Sequence, residues 1–152
     1  MSASEELIEK TGGGFLSKLP ILAAAVALIG LADSVYLTVK HFTGEKVPCS
    51  IVSGCEQVLT SEYAEIFGIP TAAFGALAYF AAFSLAVMTL YGDRRMWTLF
   101  GVQTVIMLLF TIWLFYLQAF VIGAFCQFCL LSAVTTLVLF LIFIGSKFFS
   151  GR

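Results

Sequence analysis

Four stretches of this chain, Leu19–Val39, Thr71–Tyr91, Trp97–Gln118 and about Phe125–Gly145, are almost continuously apolar and together hold a single charge, Asp33. At about 1.5 Å of rise per residue, each is long enough as a helix to cross roughly 30 Å of hydrocarbon. Lipid offers the backbone no hydrogen-bond partners, so segments of this kind are helices that satisfy their own amides. The expected fold is an all-α integral membrane protein, a four-transmembrane-helix bundle. Composition agrees: 61% hydrophobic and 11% charged residues, with a mean hydropathy of +1.03, exclude an ordinary soluble domain. The net charge of −1 offers no basic surface, so nucleic acid is not an expected partner and the lipid bilayer is.

The organisation follows from these spans. Residues 1–18 form a polar tail with Glu5, Glu6 and Glu9 against Lys10 and Lys18, and lack a short apolar segment followed by a small-residue cleavage site. They read as a disordered cytoplasmic tail before an uncleaved signal-anchor, with Gly12-Gly13-Gly14 as a flexible hinge. Residues 19–145 form the core and 146–152 a second tail, while Tyr91-Gly92-Asp93-Arg94-Arg95 reads as a tight turn between the second and third spans. An even number of spans puts both termini on one side. That side carries six positive residues (Lys10, Lys18, Arg94, Arg95, Lys147, Arg152) against two (Lys40, Lys46) on the other. The positive-inside rule therefore makes both termini cytoplasmic in a cell inner (plasma) membrane, and places loop 40–70 and the turn before Cys126 on the periplasmic or extracellular side. All four cysteines fall on that oxidising side.

Cys126-Gln127-Phe128-Cys129 is the motif with the clearest chemistry. Thiols at i and i+3 share one helix face, with Cβ atoms roughly 5 to 6 Å apart, near enough to bridge after modest adjustment. A helix starting near Phe125 puts Cys126 in the first turn, where unpaired N–H groups and the helix dipole favour the reactive thiolate. The alternative is a pair of buried cysteines acting as small apolar groups. The 31-residue outer loop adds Cys49, in a turn-rich stretch, and Cys55. From Glu56 to Phe67, Leu59, Tyr63, Ile66 and Phe67 recur at helical spacing, which predicts a short amphipathic helix on the membrane surface, with Gly68-Ile69-Pro70 turning the chain into the second span. Two cysteine pairs on one side of one membrane permit thiol-disulfide relay through a mixed disulfide. A zinc site is the rival chemistry, but five residues separate Cys49 from Cys55 where structural zinc pairs use two to four, so no metal is expected.

Other polar residues carry two readings each. Asp33 in lipid must be protonated, paired or facing a polar cavity. Pairing with Lys40, seven residues on, competes with a role in proton transfer. His41, the only histidine, reads as a solvated interfacial residue rather than a base. Gln118 is an interfacial cap or the amide nearest Cys126. Tyr116, Phe120, Phe125 and Phe128 form an aromatic corner that suits either a membrane-interface belt or a quinone pocket.

Taken together, Pro48-Cys49-Ser50-Ile51-Val52-Ser53-Gly54-Cys55, Val58-Leu59-Thr60-Ser61 followed by Phe67-Gly68-Ile69-Pro70, and Phe125-Cys126-Gln127-Phe128-Cys129 resemble the bacterial vitamin K epoxide reductase homologues, membrane thiol oxidoreductases on a four-helix bundle. The resemblance covers about Leu19 to Gly145. It implies that Cys129 is the thiolate next to a quinone ring and Cys126 its disulfide partner. Cys55 would attack Cys126, Cys49 would exchange with a thioredoxin-like or DsbA-like protein, and Ser61 would donate a hydrogen bond to a quinone carbonyl. Vertebrate members carry a tyrosine where this chain has Ala133, a departure that weighs against turnover of a vitamin K epoxide. Many bacterial relatives continue into a fused thioredoxin-like domain, whereas this sequence ends at Arg152, so either the partner is a separate polypeptide or the sequence is the membrane core of a longer chain.

The expected function is a membrane thiol-disulfide oxidoreductase supporting disulfide formation. Electrons pass from a thioredoxin-like partner through Cys49/Cys55 to Cys126/Cys129 and on to ubiquinone or menaquinone, with Gln118, Tyr116 and Phe128 as further quinone contacts. The alternatives are a quinone or vitamin K epoxide reductase using the same cysteines, and a non-enzymatic membrane scaffold stapled by two disulfides.

Overall fold

A computed structural model describes the backbone of residues 3–44, 65–91, 94–123 and 126–150, with side chains over 18–44, 65–91, 95–123 and 126–148. The chain forms an all-α bundle of four helices, each long and apolar enough to cross a membrane. Helix α1 is Ala3–Thr43, α2 Thr71–Leu90, α3 Arg94–Tyr116 and α4 Gln127–Ser150. The helices pack as a ring, α1 against α2 and α4, and α3 against the same two.

Helix α1 differs from the sequence expectation at its start. It runs without interruption through Gly12-Gly13-Gly14 and contains Pro20, so the residues expected as a hinge are helical. Each glycine costs roughly 1 kcal/mol relative to alanine. Extending an existing helix carries no nucleation cost, however.

Before α2, Glu65–Ile66 (β1) pairs antiparallel with Ile69–Pro70 (β2), Glu65 opposite Pro70 and Ile66 opposite Ile69. The connection is Phe67-Gly68, with φ of 55° and 79°. Two successive left-handed residues make the two-residue turn whose twist matches paired strands. Residues 65–67 therefore belong to a hairpin, not to the surface helix expected over 56–67; the rest of that expected helix lies outside the described residues. Phe67 is 99% exposed at the tip. Pro70 then caps α2 with φ −60° and ψ 139°, and its fixed φ directs the chain into the span.

The third span continues beyond Gln118 as a π-helical segment, Leu117–Ile122, that ends at left-handed Gly123. A π turn accommodates an extra residue and re-aims the side chains around it. Leu117 and Gln118 point inward and are buried, whereas Phe120 is exposed.

The core is built on close approach. Ala23, Ala24 and Ala27 of α1 and Ala82 and Ala86 of α2 are buried, the small-residue packing that lets helix backbones meet in lipid. Many large apolar side chains, among them Ile21, Leu28, Leu77, Phe80, Leu109 and Leu141, point outward, as a lipid-facing surface requires. Tyr79 fills the centre. Its hydroxyl donates to the Ser132 carbonyl at 2.7 Å and lies 2.9 Å from both Ser132 Oγ and Thr136 Oγ1, and its ring covers Gly30 so closely that a Cβ there would fall 2.2 Å from it. One side chain of α2 thus spans α1 and α4. Elsewhere, Gly101 of α3 takes the ring of Phe143 in the same way, and Trp97 Nε1 donates to Ser146 Oγ at 2.7 Å.

Because Tyr79 is held at both ends, Gly30→Ala should cost about 1–3 kcal/mol through overpacking. The loss should shrink in a Tyr79→Ala background, where the ring is gone. Unfolding of the four variants in detergent measures this; additive losses would mean that the ring is not what Gly30 accommodates.

Candidate redox site

The two cysteines of the CxxC motif occupy the start of α4, at the hairpin end of the bundle. Cys126 is fully buried, and its carbonyl accepts from Leu130 N at 3.0 Å, which makes it the residue that opens the helix. Its N–H, one of the donors a helix start leaves without an intrahelical acceptor, donates to Gln118 Oε1 at 3.1 Å. Gln118 is aimed there by the π-helical segment and is itself buried. Of the two readings of Gln118, the structure makes it the acceptor that holds the cysteine backbone. Both cysteines are free thiols.

Cys129, one turn further on, opens onto a cavity of about 450 Å³ bounded by all four helices and the hairpin. Phe74, Ile106, Met107, Phe110, Leu114 and Leu130 make its walls largely apolar. Asp33, Ser34, Gln103, Gln118, Ser132 and Thr136 supply the polar groups. Its size and lining, mostly hydrophobic with a few placed polar atoms, are those of small-molecule sites in general. Ile66, Phe67 and His41 border it at the hairpin end, and His41 Nε2 lies 2.6 Å from Glu65 Oε1, tying α1 to β1. Tyr79 and its hydroxyl partners stand deeper in the bundle.

Asp33 borders the same cavity, 7% exposed, and among the described residues neither carboxyl oxygen has a hydrogen-bond partner. The pairing with Lys40 is not made. Lys40 Nζ stands instead over the Tyr36 ring, 5.6 Å from its centroid.

Two expected quinone contacts are elsewhere. Tyr116 and Phe128 do not border the cavity: the Tyr116 ring lies 5.2 Å from that of Phe120 and is exposed, and the Phe128 ring lies 5.4 Å from that of Tyr36. Cys49, Cys55, Ser61 and Phe125 lie outside the described residues. The sequence reading missed Tyr79, Ser132 and Thr136. A signal existed, because Ser132 and Thr136 fall three and seven residues after Cys129, on the helix face that carries the thiol.

Residues 21–144 match the model of the vitamin K epoxide reductase family. The chain belongs to that family. It is also similar to the thiol-disulfide oxidoreductase LTO1 of Arabidopsis thaliana, 30% identical over 119 residues, which cover 72% of this chain and 32% of that protein. The chain thus spans about a third of that relative's length. Within the family's matched region lie both thiols, the cavity and Ala133, which lines the cavity beside Ser132. Among the described residues no group of His, Cys, Asp and Glu forms a metal site.

Gln118→Leu would leave the buried Cys126 N–H without its acceptor, at a cost of about 1–3 kcal/mol. A lowered unfolding midpoint in detergent and faster hydrogen exchange at the Cys126 amide are the expected results; an unchanged amide would mean that Gln118 does not hold it.

Proposed function

We propose that this protein is a membrane thiol-disulfide oxidoreductase that draws electrons from a thioredoxin-like or DsbA-like protein and delivers them to a membrane quinone. The observation that carries the reading is the position of Cys129. It is one of a thiol pair at a helix start, and it alone of the two lines an apolar cavity within the bundle. A quinone supplies a two-electron, two-proton acceptor, and the cavity suits one: flat apolar walls for a ring and polar groups for its oxygens. Cys129, Gln118 and Ser132 border that space, and Ser61 is assigned to it by the family resemblance.

The chain's residues act in sequence. Cys49 exchanges with the partner protein, whose two thiols become a disulfide while the Cys49–Cys55 bond is reduced. Cys55 then attacks the Cys126–Cys129 bond at Cys126, and Cys49 displaces it, so that the loop bond re-forms and Cys126 and Cys129 become thiols. Each exchange moves two electrons and two protons and breaks one S–S bond for each one formed. The buried N-cap position of Cys126 and the Gln118 clamp hold its sulfur in place for attack, and the apolar walls keep water from the inner thiol. Re-oxidation of the quinol by respiration would set the direction. The likeness to a relative named a thiol-disulfide oxidoreductase supports the chemistry.

Removing either outlying cysteine leaves the Cys55–Cys126 bridge open to attack from one side only, so the bridge should accumulate. Peptide mass mapping of Cys49→Ser and Cys129→Ser, digested without reductant, should recover that crosslink from both. Finding only 49–55 and 126–129 pairs across all variants would replace the relay with two independent disulfides.

Charge supports a compartment: six positive residues on the side of the termini against two on the other favour thiols outside the cytoplasm of an inner membrane. A membrane-impermeant maleimide on intact cells should label reduced Cys49. Labelling that requires broken membranes would reverse the topology.

A further inference from the structure

Among the polar groups of the cavity, the hydroxyls around Tyr79 engage one another, and one buried carboxyl has no partner among the described residues. Tyr79 Oη is engaged by Ser132 and Thr136, and Thr136 and Ser132 by Tyr79 in return. His41, at the hairpin end, is engaged by Glu65. Asp33 is more than nine-tenths buried, borders the cavity, and has no partner on either oxygen among the described residues. It is also within electrostatic range of both thiols at the start of α4.

An unpartnered carboxyl in this position is expensive. An ionised one would cost several kcal/mol without a counter-charge, and truncating it would be the simpler way to build a stable helix. Nor does any neighbour neutralise it. The ionisable groups facing the cavity are His41 on the same helix, held by the hairpin's Glu65, Tyr79 on α2 and Cys129 on α4, with Cys126 behind. The side chains that α3 and its π-helical extension place on the cavity, Gln103, Thr111 and Gln118 among them, include none that ionises.

We propose that Asp33 is the proton-carrying group of this site, handing a proton to an oxygen of a quinone bound against Cys129 and recovering it from the thiol pair. The proposal rests on the quinone reading above and adds a route to it. Oxidation of the Cys126/Cys129 dithiol forms one S–S bond, breaks two S–H bonds and releases two electrons and two protons. Reduction of a quinone to a quinol takes up two of each and forms two O–H bonds. Asp33 gives up its O–H proton to one of those oxygens and takes one of the two thiol protons in exchange, so it ends the cycle as it began.

The experiment compares full-length wild type with Asp33→Asn and Asp33→Glu in lipid nanodiscs, using a water-soluble short-chain benzoquinone as the probe. Asp33→Asn keeps the size and polarity of the side chain and cannot pass a proton. It should lower the rate of benzoquinone reduction by about 100-fold, leave benzoquinone binding by equilibrium dialysis and diamide-driven 126–129 disulfide formation within about twofold of wild type, and flatten the pH dependence of the rate, while Asp33→Glu recovers most of it. In wild type, adding benzoquinone should shift the infrared carbonyl band of a protonated carboxyl, a band missing from Asp33→Asn. The infrared measurement tests wild type directly, whether or not the variant folds. Wild-type rates in Asp33→Asn, or no carboxyl band responding in wild type, would overturn the proton role and leave the quinone reading standing. A wild type that oxidises its dithiol with other acceptors but reduces no benzoquinone would overturn the quinone reading and the proton role together.

Discussion

The arrangement of this bundle depends on Tyr79. In lipid there is no hydrophobic gain in bringing one helix to another, so association rests on close packing and on polar groups that find partners. Tyr79 supplies both at once. Its ring lies on the bare backbone at Gly30 and its hydroxyl reaches Ser132 and Thr136, so α1, α2 and α4 are fixed by a single residue. The alanines between α1 and α2 allow the approach that brings the ring across. On the other side of the ring, towards the hairpin, the helices enclose the cavity that Tyr79 borders. Packing and site therefore share one cause: the residue that closes the middle of the bundle is the floor of the space above it.

The fourth wall is set differently. Helix α3 reaches α4 through aromatic packing at one end, where the Trp97 and Phe100 rings stack 4.7 Å apart and Phe143 lies over Gly101. At the other end its contact is polar, through Gln118. The π-helical segment is what makes this possible. A regular continuation of α3 would carry each residue about 100° round the axis, whereas the wider π turn holds Leu117 and Gln118 inward together. Gly123 then reverses the chain within a few residues, so that the amide of Cys126 meets the oxygen of Gln118. A thiol pair whose backbone is clamped from a neighbouring helix keeps its position when its sulfurs change partners, a requirement of any exchange reaction that must stop at a mixed disulfide.

Much of this was legible in the residues, and the failures have identifiable physics. Twenty uncharged apolar residues have one common solution in lipid, so the four spans and their order could be read directly, and CxxC with Gln118 nearby marked the site. Helix ends were less legible. The run through Gly12-Gly13-Gly14 shows a helix propagating where local propensity alone argues for a break. At Glu65–Phe67 the apolar spacing of Ile66 and Phe67 fits a helix as well as it fits a strand end, and Phe67 is an unusual residue for a left-handed turn position, so the hairpin had no clear signature. Within the site, Asp33 was visible as a lone charge. Its expected mate was not its mate, because Lys40 has a long stem and leaves for the Tyr36 ring. Ser132 and Thr136 were hidden for the opposite reason: short hydroxyls are common in membrane helices, and only the tyrosine opposite gives them meaning.

The polar inventory of the cavity separates what holds the fold from what is available for chemistry. Tyr79, Ser132 and Thr136 satisfy one another, and Gln118 satisfies Cys126, so removing any of these strands a buried partner and damages the bundle. Asp33 has no hydrogen-bond partner among the described residues, so the contacts among them give no stabilising reason for its presence. Folded proteins tolerate such a group where its cost is offset by function, and a lone ionisable side chain within a membrane bundle is the strongest form of that argument. Hydrogen-bond accounting among the described residues therefore sets Asp33 apart from the residues that hold Tyr79 and Cys126 in place.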